Sequence, residues 1–240
     1  MKRALLAEDD PVNRAFLCEA LALLGWQVDA FETGERAASM GIAQRFDILL
    51  LDLNLPGDDG LATLRHIRNL DTHASADVPA LALTADHSPE QHQRLRRQGF
   101  DAVATKPLSV AELARALAGL GFPSDATLPP ADTAAEAAGT SPLWDDAPAL
   151  AAVAGNRTTL TALRKLMLDD LPTQRDRILA APRTQQARDD LHRLRAACGF
   201  CGAATLMHAV IALERAVPGP EPEAALARFA HAVAQTLATP

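Results

Sequence analysis

The sequence predicts an α/β domain, a doubly wound sheet of five parallel strands, followed by an all-α four-helix bundle. Three observations carry this prediction. From Arg3 to about Gly119, short apolar runs alternate with helix-like stretches. After Leu143 no strand pattern returns, and apolar residues recur at helical spacing. Between Gly121 and Pro142 the composition shifts to Pro, Ala, Ser, Thr and Asp, with too little apolar surface to offset the entropy of ordering. The expected organisation is a first domain over residues 1–120, a flexible linker over 121–142 and a second domain over 143–240.

The strands are expected at Ala4 to Ala7, Val28 to Phe31, Ile48 to Leu51, Ala80 to Leu83 and Ala102 to Ala104. Ile48-Leu49-Leu50-Leu51 is apolar at every position, as a central parallel strand covered on both faces requires. Five βα units imply right-handed crossovers. In the second domain, helices are expected from about Asn156, Thr184, Ala203 and Glu221, separated by Pro or Gly, with a short leading helix near Trp144. The 240 residues are 48% hydrophobic but only 4% aromatic, with no Tyr, so Leu, Ala, Val and Ile must fill both cores.

The formal net charge is −7, which opposes attraction to a nucleic-acid backbone. The one dense basic run, Arg94, Arg96 and Arg97, reads as the solvated face of a helix. Acidic residues follow the first apolar run too soon for a signal-peptide core, and no stretch of about 18 apolar residues occurs. The expectation is therefore a cytoplasmic chain with neither nucleic acid nor membrane as partner. Cys18, Cys198 and Cys201 form no even disulfide framework. The Cys198-Gly199-Phe200-Cys201 spacing, lying on an apolar stripe with no completing ligands, reads as two buried small hydrophobes.

In an open α/β sheet, ligands gather outside the carboxyl ends of the strands. Four such ends carry polar residues here: Glu8-Asp9-Asp10 after the first strand, Asp52 at the third, Thr84 at the fourth, and Lys106-Pro107 after the fifth. Carboxylates brought together there repel unless a hard cation such as Mg²⁺ offsets them. A carboxylate can itself attack phosphorus when positioned cations and donors stabilise the transferring oxygens. Asp52 is placed to be that nucleophile, Lys106 to supply a charge and Thr84 a hydroxyl donor.

On Glu8-Asp9, Asp52, Thr84 and Lys106-Pro107, taken in that order and spacing, the segment from Arg3 to Gly119 resembles the flavodoxin-like (CheY-like) receiver domain of bacterial response regulators. Pro11-Val12-Asn13-Arg14 also looks like the start of that family's first helix. The resemblance implies that Glu8, Asp9 and Asp52, with the backbone carbonyl of Asn54, hold Mg²⁺. It also implies that Asp52 is phosphorylated from a histidine donor, such as a sensor histidine kinase. One position departs from the pattern: Val103 stands where the family usually has Tyr or Phe. Losing an aromatic switch favours a relay or sink over an allosteric output.

The segment around His192 has an apolar stripe at Leu191, Leu194, Cys198 and Cys201. His192, Arg195, Ala196 and Gly199 are expected on another face, an imidazole above a cation and two very small residues. Small neighbours let another protein's active site approach, a neutral imidazole can attack phosphorus, and Arg195 can pair with the arriving phosphate. His192, Leu194, Arg195, Ala196, Gly202-Ala203 and Leu213-Glu214 together resemble the motif of the histidine phosphotransfer (HPt) family, from about Leu143 to Leu237. Arg195 replaces the family's usual Lys and Ala196 its usual Gly.

The two resemblances imply a phosphorelay intermediate that is not a conventional enzyme. Asp52 takes a phosphoryl group, with Mg²⁺ as cofactor, from a phosphohistidine donor. His192 exchanges phosphoryl with a receiver aspartate of this or another protein. A linker of some 22 residues, with a root-mean-square span of roughly 25 Å, permits transfer within one chain. The alternative is a docking module in which phosphorylation frees the helical bundle and His192 is never modified. A DNA-binding regulator is disfavoured by charge, and a metabolic enzyme by the lack of converging acid and base residues. The remaining six histidines, among them His92, His208 and His231, carry no assigned role.

Overall fold

The computed structural model describes residues 2–124, 142–219 and 222–239, which divide into two compact units at Pro130/Ala131. Most of the expected linker, residues 125–141, lies outside the described residues.

In the first unit the strands are β1 (Lys2–Ala7), β2 (Trp26–Phe31), β3 (Ile48–Asp52), β4 (Ala80–Thr84) and β5 (Ala102–Thr105). They alternate with α1 (Pro11–Leu23), α2 (Gly34–Ala43), α3 (Gly60–Arg68), α4 (Pro89–Arg97) and α5 (Val110–Gly119). All pairings are parallel in the order β2-β1-β3-β4-β5. This is the α/β flavodoxin-like sheet, and each expected strand is present, extended by one or two residues. Every residue of β3 and β4 is buried, which explains the unbroken apolar runs.

Helix starts are set by side-chain caps. Asp10 accepts from the Asn13 backbone N–H at 2.8 Å and Pro11 opens α1. Asp59 caps α3, and Ser109 with Glu112 forms a reciprocal capping box on α5. Arg94, Arg96 and Arg97 are exposed on α4, as expected.

The second unit is helical: α6 (Asp146–Ala152), α7 (Arg157–Ala180), α8 (Gln185–Cys201), α9 (Ala204–Ala216) and α10 (Glu223–Ala238). α7 packs on α8 and α10, α9 packs on α8 and α10, and α6 leans on α7 and α8. Leu163, Met167 and Leu171 of α7 meet a core completed by Leu191, Leu194, Leu213, Phe229 and Val233, all buried. Cys198 and Cys201 are buried too, and burial holds the Cys198 thiol well above the usual range. Both behave as the small hydrophobes expected of them. Among the described residues no helix is long and apolar enough to cross a membrane.

α8 ends on Gly202 in the left-handed conformation, φ 71°. A Cβ there would stand 2.1 Å from the Asp145 carbonyl oxygen and 2.9 Å from the Ala149 Cβ. The Asp145 N–H donates to the Gly202 carbonyl at 2.7 Å, so the glycine is where the leading helix latches onto α8. Gly202→Ala combines an unfavourable φ with a backbone overlap. It should destabilise the helical unit by about 2–5 kcal/mol, read as a fall in the denaturant midpoint at unchanged m-value.

Candidate functional site

The sheet order sets β1 and β3 side by side, with β4 and β5 following, so Glu8, Asp52, Thr84 and Lys106 come from neighbouring strand ends. Glu8 is fully buried, Asp52 is nearly so, and Asp9 is half-buried. Each of the three offers a carboxylate oxygen within 4.8 Å of the others'. Lys106 Nζ donates to Glu8 Oε2 at 2.6 Å and to Asp52 Oδ2 at 2.8 Å, bridging two carboxylates that would otherwise repel. The Asn54 backbone N–H donates to Asp52 Oδ1 at 3.2 Å.

Thr84 is buried one residue beyond the position paired with Asp52, and its hydroxyl accepts from the Asp86 N–H at 3.1 Å. Arg14 steadies the acidic loop, donating from Nη1 to the carbonyls of Glu8 and Asp9, both at 2.9 Å. Gly60 lets α3 start against the end of β3, because a Cβ there would lie 2.3 Å from the Asp52 carbonyl oxygen.

Burial, followed by the negative charge of Asp52, pushes the Glu8 carboxyl up to about 8, against an opposing pull from Lys106. For Lys106, burial lowers the value but the charges of Asp52 and Glu8 outweigh it, so the net direction is upward. The donor set of hard carboxylate oxygens suits Mg²⁺.

In the helical unit, His192 sits half-buried on α8 with its Nε2 shielded from solvent. Two residues earlier, the fully buried Asp190 accepts from Arg177 Nε at 2.8 Å and Nη2 at 3.0 Å, tying α8 to α7. Two expectations change here. Ala196 is buried rather than lying on an open face beside His192, because the core stripe of α8 widens to take in Ala196, Ala197 and Phe200. Arg195 is paired across to Glu214 of α9 at 3.3 Å, where Glu214 is half-buried and its carboxyl is raised by burial despite the nearby cation.

Residues 4–118 match the family model of the response regulator receiver domain. That segment is a receiver domain. Sensor protein GacS of Pseudomonas syringae pv. syringae is 28% identical over 215 residues, 86% of this chain and 24% of GacS. Virulence sensor protein BvgS of Bordetella pertussis is 28% identical over 238 residues, 92% of this chain and 19% of BvgS. The chain thus spans about a quarter or less of these two relatives, while both likenesses run past residue 118 into the helical unit. The solved receiver domain of a Pseudomonas aeruginosa sensor histidine kinase, described with magnesium coordinated in its active-site cleft, is 32% identical over 50% of this chain and 98% of that one, with a TM-score of 0.45. Residues 4–118 are thus a receiver domain of the two-component type, similar in sequence to segments of these sensor proteins.

Within the receiver domain, sequence reasoning named the acidic residues, Thr84 and Lys106, and all stand at the carboxyl edge of the sheet. It missed Gly60 and the roles of Asn13 and Arg14. The Asn-Arg pair just after the acidic loop was a visible signal, since one helical turn brings both side chains back over that loop.

The raised Glu8 value has a measurable consequence. An unfolded chain holds a Glu proton up to about pH 4.5 and the folded receiver holds it to about 8. The stabilisation is complete below 4.5 and is lost as pH rises through 8. Without divalent cations, the receiver should lose stability from pH 5 to pH 8 in urea titrations. Mg²⁺ affinity measured by calorimetry should rise over the same interval and level off above pH 8, once no proton competes for Glu8.

Proposed function

We propose that the chain is a phosphorelay intermediate. Its receiver domain accepts a phosphoryl group on Asp52 from a sensor histidine kinase or another phosphohistidine donor, and a C-terminal HPt domain over residues 143–240 carries one on His192. The observation that supports the first step best is Lys106 bonded to both Glu8 and Asp52 in a buried pocket. The nucleophile is thereby oriented, and a cation is already in place where charge develops.

In that step an Asp52 carboxylate oxygen attacks phosphorus while the P–N bond to the donor imidazole breaks, the nitrogen keeping the electron pair. Glu8, Asp9 and Asp52, with the Asn54 carbonyl, would hold Mg²⁺, which supplies positive charge against the transferring oxygens. Thr84 turns its hydroxyl from the Asp86 N–H to a phosphoryl oxygen, and Lys106 exchanges its hold on Asp52 for one on the phosphoryl group.

Support for the HPt step comes from α7 to α10 closing a cycle of packed helices, with His192 half-buried on α8. Transfer requires the His192 ring to turn its Nε2 outward, and Arg195 to leave Glu214 if it is to meet the phosphate.

That engagement of Arg195 favours a second reading, a docking module whose helical unit binds partners without being phosphorylated. Phosphorus NMR of the full chain, re-isolated from the donor after incubation with Mg²⁺ and a phosphohistidine-bearing donor domain, separates the two. The relay gives acyl-phosphate and phosphoimidazole signals, whereas the docking module gives the acyl phosphate alone, even with other receivers' acyl phosphates supplied.

A further inference from the structure

Asn13, in the first turn of α1, is 3% exposed and lies against the acidic site. Its Nδ2 donates to Glu8 Oε1 at 3.3 Å, which turns the amide oxygen away from that contact. Its Oδ1 is buried and has no hydrogen-bond donor among the described residues. A buried carbonyl oxygen left in this way costs about 1–3 kcal/mol, a penalty expected to be offset when a ligand arrives. The two heavy atoms of an amide share one carbon, so Oδ1 lies within one water's reach of the Glu8 carboxylate.

What suits that oxygen is a donor, and one carrying full negative charge beside it would be repelled by Glu8, Asp9 and Asp52. A water molecule polarised by a cation fits both demands. Mg²⁺ dehydrates reluctantly and keeps several waters when it binds only a few carboxylates.

We propose that Asn13 is a positioning residue for the divalent cation of the receiver domain, with Nδ2 fixing Glu8 and Oδ1 accepting a hydrogen from a cation-bound water. This rests on the reading of Glu8, Asp9 and Asp52 as the cation site. Outer-shell partners of this kind typically change metal affinity by 10–100-fold when removed.

The test is calorimetric titration of Mg²⁺ into the full chain, wild type beside Asn13→Leu, together with thermal unfolding of both in EDTA. The expected result is Mg²⁺ affinity at least about tenfold weaker in Asn13→Leu, with an unfolding temperature in EDTA close to that of wild type, because losing the orphaned oxygen offsets losing the Nδ2 bond to Glu8. Equal Mg²⁺ affinity, or a loss matched by destabilisation in EDTA, overturns the proposal and leaves Asn13 a structural residue. Should the Leu variant not fold, Asn13→Ala replaces it, with weaker Mg²⁺ binding expected and wild-type binding overturning the idea. If wild type itself takes up no Mg²⁺, the cation site fails first, and the inference about Asn13 falls with it.

Discussion

Replacing Asp52 with Asn is expected to abolish phosphoryl acceptance by the receiver domain while leaving it folded. The substitution keeps the shape of the side chain and removes the carboxylate nucleophile that Lys106 and the Asn54 N–H orient at the carboxyl edge of the sheet. Since the nucleophile itself is lost, the rate of Mg²⁺-dependent labelling from acetyl phosphate or a phosphohistidine donor should fall on the order of 10³-fold or more. Lys106 keeps Glu8 as a partner, so the pocket does not acquire an unpaired buried ammonium. Removing the Asp52 charge also removes the second cause of the raised Glu8 value, so the fall in stability between pH 5 and pH 8 should become shallower. Hydroxylamine-sensitive phosphate persisting in this variant would place the acyl-phosphate acceptor elsewhere.

His192→Gln is expected to eliminate the phosphoimidazole signal completely and to leave the acyl phosphate on Asp52 intact. Gln has similar reach and polarity but no ring nitrogen able to attack phosphorus. The position is half-buried and outside the main core stripe, so the stability change should stay within about 1 kcal/mol, and a loss of signal cannot be put down to unfolding. In the double variant with Asp52→Asn neither signal should appear with any donor. Retained phosphoimidazole in His192→Gln would move the second site to another histidine. Its absence in wild type as well would favour the docking module.

The fold of the first unit was legible because its two signals are redundant. β3 is apolar from Ile48 to Leu51, and the polar residues of β3 and β4, Asp52 and Thr84, fall at their carboxyl ends, so pattern and chemistry agree on the same boundaries. The helical unit was legible in element order but less so in facing. Ala196 and Phe200 lie at the margins of the α8 stripe, and whether a marginal position is buried depends on how closely α7 and α9 approach, which spacing along one helix does not encode. The pairing of Arg195 with Glu214 escaped for the same reason, since 19 positions separate them and only packing makes them neighbours. Asn13 was read as the start of a helix, which it is. Its second role depends on a buried oxygen whose surroundings only three dimensions reveal.

Lys106 is 98 positions away from the Glu8 it neutralises. During synthesis the first four strands exist before the lysine that holds their carboxylates together, and β5 is the edge strand whose arrival brings it. A nascent receiver lacking β5 therefore has the two acids without the ammonium that bridges them. On the proposed reading, competence to receive a phosphoryl group is expected only with the last strand, so a product truncated before β5 should not drain the signal from its donor.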